Sequence, residues 1–562
     1  MGIDSPASRS AWALLSELVG LGVRHLVVSP GSRSQALALA AARLERQGRI
    51  RLHVRIDERV AGFTALGIGR ETGTPAAVVC TSGTAVANLL PAVLEAHHSG
   101  VPLLLLTADR PPELRGIGAN QTTTQPGIFG DAVRLSVDAE TPTGADGEDG
   151  SARDLATRAF DAAVGAGQGA PGPVHLNLPY REPLAGDLPG AARGDVDPHI
   201  DDGRYRPVVE RAVTTLARGP RTLVLAGAGA GPSAEQIAHD GGWPLVAEIV
   251  SGARFGRHVV HGYRAALADP DLGGRVERVV AVGHPTLSRE ATRLLSRADV
   301  EVIAVRGRGE ELDLNGRTRA VDAVAVDEGD ADRAWLGAWM RFSRAHAPDL
   351  DGPAPDLDGL SSTDPHARAD AVRTELDAVR RPLDRAQLVA AVWAATWPHD
   401  RLVFGSSRLV RVADELLPGK KVRVHANRGL AGIDGTVATA TGVALASQLP
   451  GMAGVTRVLL GDLALLHDAG ALLLPDGEDE PRMQIVVGND RGGTIFDGLE
   501  VAATASEEDM TRVQYTPHAV RLEQLATAYG WEHRRVTTRG ALDQALTSTA
   551  GRRILIEVPL AR

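Results

Sequence analysis

The chain has 562 residues, with 60 basic against 70 acidic side chains and a formal net charge of −10, a balance that excludes a general nucleic-acid binder. That length suits about three or four domains, each able to bury its own core, and the hydrophobic (43%) and charged (23%) fractions are ordinary globular values. The opening MGIDSPASRSAWALLSELVG has no long uncharged apolar core, and no stretch nears the roughly 18 apolar residues of a membrane span, so a soluble, cytoplasmic chain is expected.

In chain order, residues 1–185 alternate helical stretches with the runs HLVVS, LHVRI, AAVVC, PLLLLTA and PVHLNLP, each closed by Gly, Pro or Ser or by a polar turn. This is the pattern of a parallel sheet flanked by helices. Cys80, the one cysteine, ends AAVVC and is expected to be a buried structural thiol. DAETPTGADGEDG, from Asp138 to Gly150, reads as a surface loop and Gly186 to Pro207 as a linker. A second alternating unit spans residues 208–345, with TLVLAG, PLVAEI, RVVAVG and VEVIAV as strands, and a second linker starts at His346. The third unit, residues 383–562, holds LVFG, VRVH, RVLLGD, MQIVVGND and RILIEV. The expected fold is α/β, with three doubly wound parallel-sheet domains. Ligands of such sheets bind beyond the carboxyl ends of the strands.

Several motifs fall at those ends. After HLVVS, the turn SPGSRS places Ser32 and Arg33 at a helix N-terminus, where amides, hydroxyl and guanidinium can converge on an anion. After PLLLLTA comes a loop with Arg110, Asn120 and Gln121. GAGAG at Gly227 to Gly231 is a weak match to a dinucleotide fingerprint and reads better as a tight turn. The third unit adds Ser407 and Arg411 in FGSSRLVRVADELL, and Arg428, Gly432 and Ile433 in HANRGLAGIDGTVATATG. Lys420 and Lys421 are the only lysines, so Schiff-base chemistry loses nearly all its candidates. Arginines gathered near strand ends favour carboxylate or phosphate partners and suggest substrates with several acids.

The most informative pair is GDLALLHDAG, where a strand ends at Gly461 and Asp462, and VVGNDRGG, where the next apolar strand ends at Asn489 and Asp490 ahead of Gly492. Two carboxylates at neighbouring strand ends can hold one Mg²⁺, an ion that normally takes one or two protein carboxylates plus substrate phosphates. The Gly492 carbonyl could add a third protein oxygen, and the glycines let the main chain approach a diphosphate.

This pair resembles the metal and diphosphate motif of thiamine-diphosphate-dependent enzymes, whose more common form has GDG where this chain has GDL, and Asn where it has Asp490. The ordered set SPGSRS, DER, TSGTAVANLLPAV, TADRPPELR, GANQTTTQPG, NRGLAGIDG and GDLALLHD is similar to the menaquinone-pathway synthases of that superfamily. The resemblance implies pyrimidine-binding, central and diphosphate-binding domains, with thiamine diphosphate and Mg²⁺, or Mn²⁺ in its place. It also implies decarboxylation of 2-oxoglutarate and addition of the succinyl carbanion equivalent to isochorismate. Glu58, in RIDERVAGFTALG, would be the partner of the aminopyrimidine N1′; taken alone it would be a solvated acid. Asp462, Asp490 and the Gly492 carbonyl would hold the metal, Gly432 would face the 4′-amino group, and Ile433 would wedge under the cofactor. Arg411, Arg428 and Ser407 resemble the 2-oxoglutarate or cofactor side, and Ser32, Arg33, Arg110, Asn120 and Gln121 the isochorismate side. Arg289 is the nearest match to a basic residue expected from the central unit. Family architecture further implies a homodimer or homotetramer with active sites between subunits. Another thiamine-diphosphate 2-oxoacid decarboxylase or carboligase, and a non-catalytic relative, stay open as alternatives.

Overall fold

Short runs rich in valine and leucine, flanked by turn residues, form three large parallel sheets and a two-stranded one in the computed structural model, which describes residues 4–167, 169–188, 212–307, 309–347, 356–449, 451–548 and 551–562. The first sheet comprises β1 (His25–Val28), β2 (Arg51–Val54), β3 (Ala76–Cys80), β4 (Leu103–Asp109), β5 (Leu135–Asp138) and β6 (Pro173–Pro179), in the order β2-β1-β3-β4-β6-β5. The central region holds β7 (Val213–Leu216), β8 (Thr222–Ala226), β9 (Leu245–Ala247), β10 (Arg278–Val282), β11 (Glu301–Val305), β12 (Arg319–Val321) and β13 (Ala323–Val326). Five of these form a sheet in the order β12-β11-β10-β8-β9, and β13 pairs with β7. The last sheet comprises β14 (Arg401–Phe404), β15 (Arg423–Ala426), β16 (Thr456–Gly461), β17 (Met483–Asn489), β18 (Glu532–Arg535) and β19 (Arg553–Pro559), in the order β15-β14-β16-β17-β19-β18. Every ladder is parallel. Helices cover both faces of such sheets, which is why inner strands such as β3, β4 and β17 are buried along their whole length.

The first and last sheets share one core. The helix Glu58–Thr72 opens on Asp57, whose carboxylate accepts the Arg59 amide at 2.8 Å, and it ends at Gly73 in the left-handed region with φ 77°. It crosses the helix Thr436–Ser447 with backbone nearly touching backbone. A Cβ on Gly67 would stand 2.1 Å from the Thr439 carbonyl oxygen, and one on Gly442 would stand 2.0 Å from that of Thr64. Only glycine permits that approach. Around the crossing, Phe63, Leu66 and Leu105 pack in one cluster with Val437, Leu460 and Ile485.

A buried ionic tie closes the same interface. Glu71, whose side chain is 5% exposed, meets Arg401 at 2.7 Å, Arg423 at 2.9 Å and His425 at 3.0 Å. Burial alone would raise the Glu71 carboxyl, but His425 and Arg401 outweigh it and bring the pKa down to about 2. The folded value lies below the unfolded one, so this carboxylate stabilises the fold at pH values above about 4.5 and loses its contribution as pH falls toward about 2. The shift corresponds to about 3 kcal/mol. Urea unfolding at pH 6 and pH 3 should show Glu71→Gln losing less stability on acidification than the parent; equal losses would remove Glu71 from the acid transition.

The structure departs from the sequence reading mainly at sheet edges. β5, β12 and β18 are edge strands carrying exposed or charged residues, as in EHRR of β18, and so lack a continuous apolar run. The Asp138–Gly150 loop is shorter than read, because β5 ends at Asp138 and the helix Glu148–Val164 begins inside it. Residues 189–207 of the first linker, 208–211 at the start of the second unit and 348–355 of the second linker lie outside the described residues. The helices Leu357–Ser361 and Pro365–Arg380 lie in the rest of the stretch between that linker's start and residue 383, so it is not a plain linker. The Gly227 to Gly231 segment is a tight turn after β8, with φ 79° at Gly229 and 64° at Gly231. Among the described residues no helix is long and apolar enough to cross a membrane. Cys80 is fully buried, and burial with the nearby Glu58 charge pushes its thiol well up, so it is no nucleophile.

Candidate active site

β16 and β17 pair with Gly461 opposite Gly488, which sets the next residues, Asp462 and the Asn489–Asp490 pair, side by side beyond the strand ends. Asp462 is 1% exposed and starts the helix Asp462–His467. Its Oδ1 accepts the Leu463 amide at 2.9 Å, and its Oδ2 accepts the Gly492 amide and His518 Nε2, each at 2.9 Å. Asp490 Oδ2 accepts Arg385 Nη2 at 2.7 Å and the Thr494 hydroxyl. Burial, opposed by His518 and reinforced by the Asp490 charge, raises the Asp462 carboxyl. Gly492 has φ 153°, and a Cβ there would stand 2.5 Å from the Tyr515 carbonyl oxygen. Among the described residues no group of three or more His, Cys, Asp or Glu side chains is gathered as a metal cage. Two carboxylates at neighbouring strand ends are nonetheless part of the oxygen set that Mg²⁺ accepts when phosphates and water complete its octahedron, so they fit such an ion, while the Gly492 carbonyl accepts the Thr494 amide at 3.1 Å and keeps one lone pair.

Among the described residues, two pairs of candidate-site arginines have no carboxylate within ion-pair distance. Ser407 caps the helix Arg408–Leu416, accepting the Leu409 amide at 3.3 Å, and Arg411 on its first turn donates to the Ser407 carbonyl at 3.1 Å. Burial, then the neighbouring Arg428 and Arg264 charges, lowers the Arg411 guanidinium. Arg428, 5% exposed, donates to the Thr286 hydroxyl at 2.7 Å and its carbonyl at 3.1 Å. In the first domain, Arg33 donates to the Tyr180 carbonyl at 3.1 Å, and burial plus Arg110 lowers its guanidinium. Arg110 donates to the Ser82 hydroxyl and, at 3.0 Å, to the Gln121 carbonyl. One guanidinium of each pair is lowered by burial and by its neighbour's charge, and with no carboxylate in ion-pair distance among the described residues, though Glu182 and Asp109 act on Arg33 and Glu248, Glu95 and Asp414 on Arg428 from farther off, these make two anion-seeking positions.

Ser32 stands exposed beside Arg33, and its hydroxyl accepts Gln35 Nε2 at 3.3 Å. Gln121, at φ 56°, spends its side-chain amide on the Ser82 carbonyl at 2.9 Å, and Asn120 next to it is exposed. Glu58 is the first residue of its helix, half-buried, with no hydrogen bond or ion pair among the described residues. Its neighbour Arg59 donates to the His467 carbonyl at 2.8 Å, at the opposite end of the helix from Asp462. Gly432 and Ile433 are half-buried, with Ile433 against the shared core. Arg289 does not join either arginine pair; its side chain, 62% exposed, pairs with Glu500 at 2.9 Å. Sequence reading missed Arg385, His518, Thr286 and Gln125. The buried Gln125 accepts the Gly83 amide at 2.9 Å and donates to Asn177 at 2.8 Å, fixing the Asn120–Gln121 loop. No local spacing signals these partners.

Three parallel-sheet domains with paired acids at adjacent strand ends are the arrangement that the resemblance to thiamine-diphosphate enzymes implied. Residues 9–133 match the family described as thiamine pyrophosphate enzyme, N-terminal TPP binding domain. The fold superposes on benzoylformate decarboxylase from Polynucleobacter necessarius with a TM-score of 0.64 at 15% identity, over 98% of each chain. Sequence likeness is far closer elsewhere. The chain is 54% identical to the 2-succinyl-5-enolpyruvyl-6-hydroxy-3-cyclohexene-1-carboxylate synthase of Leifsonia xyli subsp. xyli, over 99% of this chain and 97% of that one. It is 53% identical to the synthase of that name from Clavibacter michiganensis subsp. michiganensis, with the same coverage of 99% and 97%. With that from Kineococcus radiotolerans it shares 44% identity over 99% of this chain and 96% of that one. The chain belongs to the 2-succinyl-5-enolpyruvyl-6-hydroxy-3-cyclohexene-1-carboxylate synthase family.

Proposed function

We propose that the chain is a thiamine-diphosphate-dependent transferase of menaquinone biosynthesis, acting in the cytoplasm. It decarboxylates 2-oxoglutarate and transfers the remaining succinyl unit to isochorismate, giving 2-succinyl-5-enolpyruvyl-6-hydroxy-3-cyclohexene-1-carboxylate and CO₂. The observation that carries this reading is two arginine groups with no carboxylate in ion-pair distance among the described residues, Arg411 with Arg428 and Arg33 with Arg110, one for each acidic substrate.

Asp462, Asp490 and the Gly492 carbonyl would hold Mg²⁺, or Mn²⁺ in its place, and at Gly461, where a Cβ would meet only Ser407 at 3.6 Å, the main chain would approach a diphosphate. When bound, the cofactor supplies an electron sink for the decarboxylation. The chain does the rest. Glu58 would pair with the aminopyrimidine N1′, the Gly432 carbonyl would face the 4′-amino group, and Ile433, packed against the shared core, would support the cofactor. Arg411, Arg428 and Ser407 hold 2-oxoglutarate, while Ser32, Arg33, Arg110, Asn120 and Gln121 orient isochorismate. Arg289 joins only by leaving Glu500. Fixed guanidiniums compensate both anions without reorganising, and orientation of the acceptor is worth on the order of 7 to 11 kcal/mol of barrier. The unpartnered Glu58 of one chain meets the cofactor carried by a second copy, in a homodimer or homotetramer.

Protein mixed with Mg²⁺, thiamine diphosphate, 2-oxoglutarate and isochorismate should release CO₂ and coupled product in equal amounts. CO₂ without coupled product would replace this reading with a simple decarboxylase. Arg411→Ala should raise KM for 2-oxoglutarate roughly 10- to 100-fold, the loss of one charged hydrogen bond, with cofactor affinity nearly unchanged. Equal loss of both would reassign Arg411 to the diphosphate.

A further inference from the structure

The loop after β15 carries Arg428, Gly432 and Ile433, yet much of its backbone is held by the first domain. Glu95, in the helix Leu90–Ser99, is 3% exposed. Its Oε1 accepts the Gly429 amide at 3.0 Å, and its Oε2 accepts the Leu430 amide at 2.9 Å. Oε1 also accepts the Ser99 hydroxyl at 2.7 Å and Arg70 Nη2 at 3.0 Å. Arg70 donates in addition to the Ala426 carbonyl, at the start of the same loop. A Cβ on Gly429 would stand 2.8 Å from Ser99 Oγ and 3.0 Å from Glu95 Oε2, so the chain passes as close as a glycine allows.

A carboxylate is costly to bury, and here four donors compensate it, two of them main-chain amides of another domain. Those amides flank Arg428 directly on its C-terminal side. The Arg428 side chain is gripped separately by Thr286 of the central domain, whose amide is held in turn by the buried Glu248 at 3.1 Å. Backbone and guanidinium are therefore fixed from two different domains, as aiming a charged group at a small anion requires.

We infer that Glu95 is a positioning residue, acting through the Gly429 and Leu430 amides to fix the loop and aim Arg428 at a substrate carboxylate. The inference rests on the reading of Arg428 as part of the 2-oxoglutarate side. Gln at position 95 keeps the shape and one acceptor, but its NH₂ faces either the Leu430 amide or the Gly429 amide together with Arg70. Glu95→Gln should raise KM for 2-oxoglutarate about tenfold while KM for isochorismate stays within about twofold, as expected when one charged hydrogen-bond set is lost on one side of the pocket. A merely structural role would lower the melting temperature and the concentration of titratable sites and leave both KM values alone. An unchanged KM in Glu95→Gln beside a raised one in Arg428→Ala overturns the positioning role only. If KM for 2-oxoglutarate is unchanged in both variants, the reading of Arg428 falls, and the positioning role with it. If Glu95→Gln does not fold, Glu95→Asp, which keeps the charge on a shorter arm, reads the same ratio. A rise of about threefold or more in KM for 2-oxoglutarate over that for isochorismate supports the role, and an unchanged ratio overturns it.

Discussion

Glu58→Gln should bind thiamine diphosphate with Mg²⁺ almost as the parent does and yet lose turnover by a factor of roughly 10² to 10⁴, the range a positioned proton-transfer group contributes. The helix it opens is capped by Asp57, not by Glu58, so the substitution leaves the local fold intact. Glu58 has no partner among the described residues, so no native contact is broken. The variant thus removes a proton site and little else. Calorimetric titration of the cofactor, set beside single-turnover CO₂ release, separates the two quantities. Full retention of rate would sink the role of Glu58, and a parallel loss of cofactor affinity would make it a binding group instead.

What the sequence made legible follows from how far each determinant reaches along the chain. Inner parallel strands are buried on both faces, so AAVVC, LLLLTAD and MQIVVGN announce themselves as continuous apolar runs. Edge strands are half solvated, and EHRR of β18 carries no such run. Asp462 and Asp490 were readable as a pair because each directly follows an apolar strand, and parallel pairing brings consecutive strand ends together. Their counter-groups were not. Arg385 reaches Asp490 across 105 positions and His518 reaches Asp462 across 56, distances over which spacing carries no information. The same holds for Glu95 and Gly429, 334 positions apart. Arg289 shows the converse. Its motif suggested a place in the pocket, whereas the fold sets it against Glu500 on the surface, because nothing local to GHPTLSREATRLL records where the third domain's Glu500 segment packs.

Asp462→Asn should abolish Mg²⁺-dependent cofactor binding, by more than about 100-fold, since even partners that merely orient a metal ligand are worth 10- to 100-fold in affinity. The same variant should be no less stable without ligand. Burial and the adjacent Asp490 charge hold the Asp462 carboxyl above its ordinary range, so the native fold disfavours its charged form. Asparagine removes that charge while its carbonyl can take the place of Oδ2 and accept the Gly492 amide and His518, so that only the part-buried Leu463 amide, now on Oδ1, loses its acceptor. A group that costs the empty protein stability and favours the loaded one is the signature of a ligand site rather than a helix cap. Thermal unfolding reads both effects. The parent should gain about 2.7 kcal/mol at a cofactor concentration 100 times Kd. The variant should start from an equal or higher midpoint and gain nothing. A variant that melts lower when empty and is still stabilised by Mg²⁺ and thiamine diphosphate would return Asp462 to the role of a cap on the helix Asp462–His467.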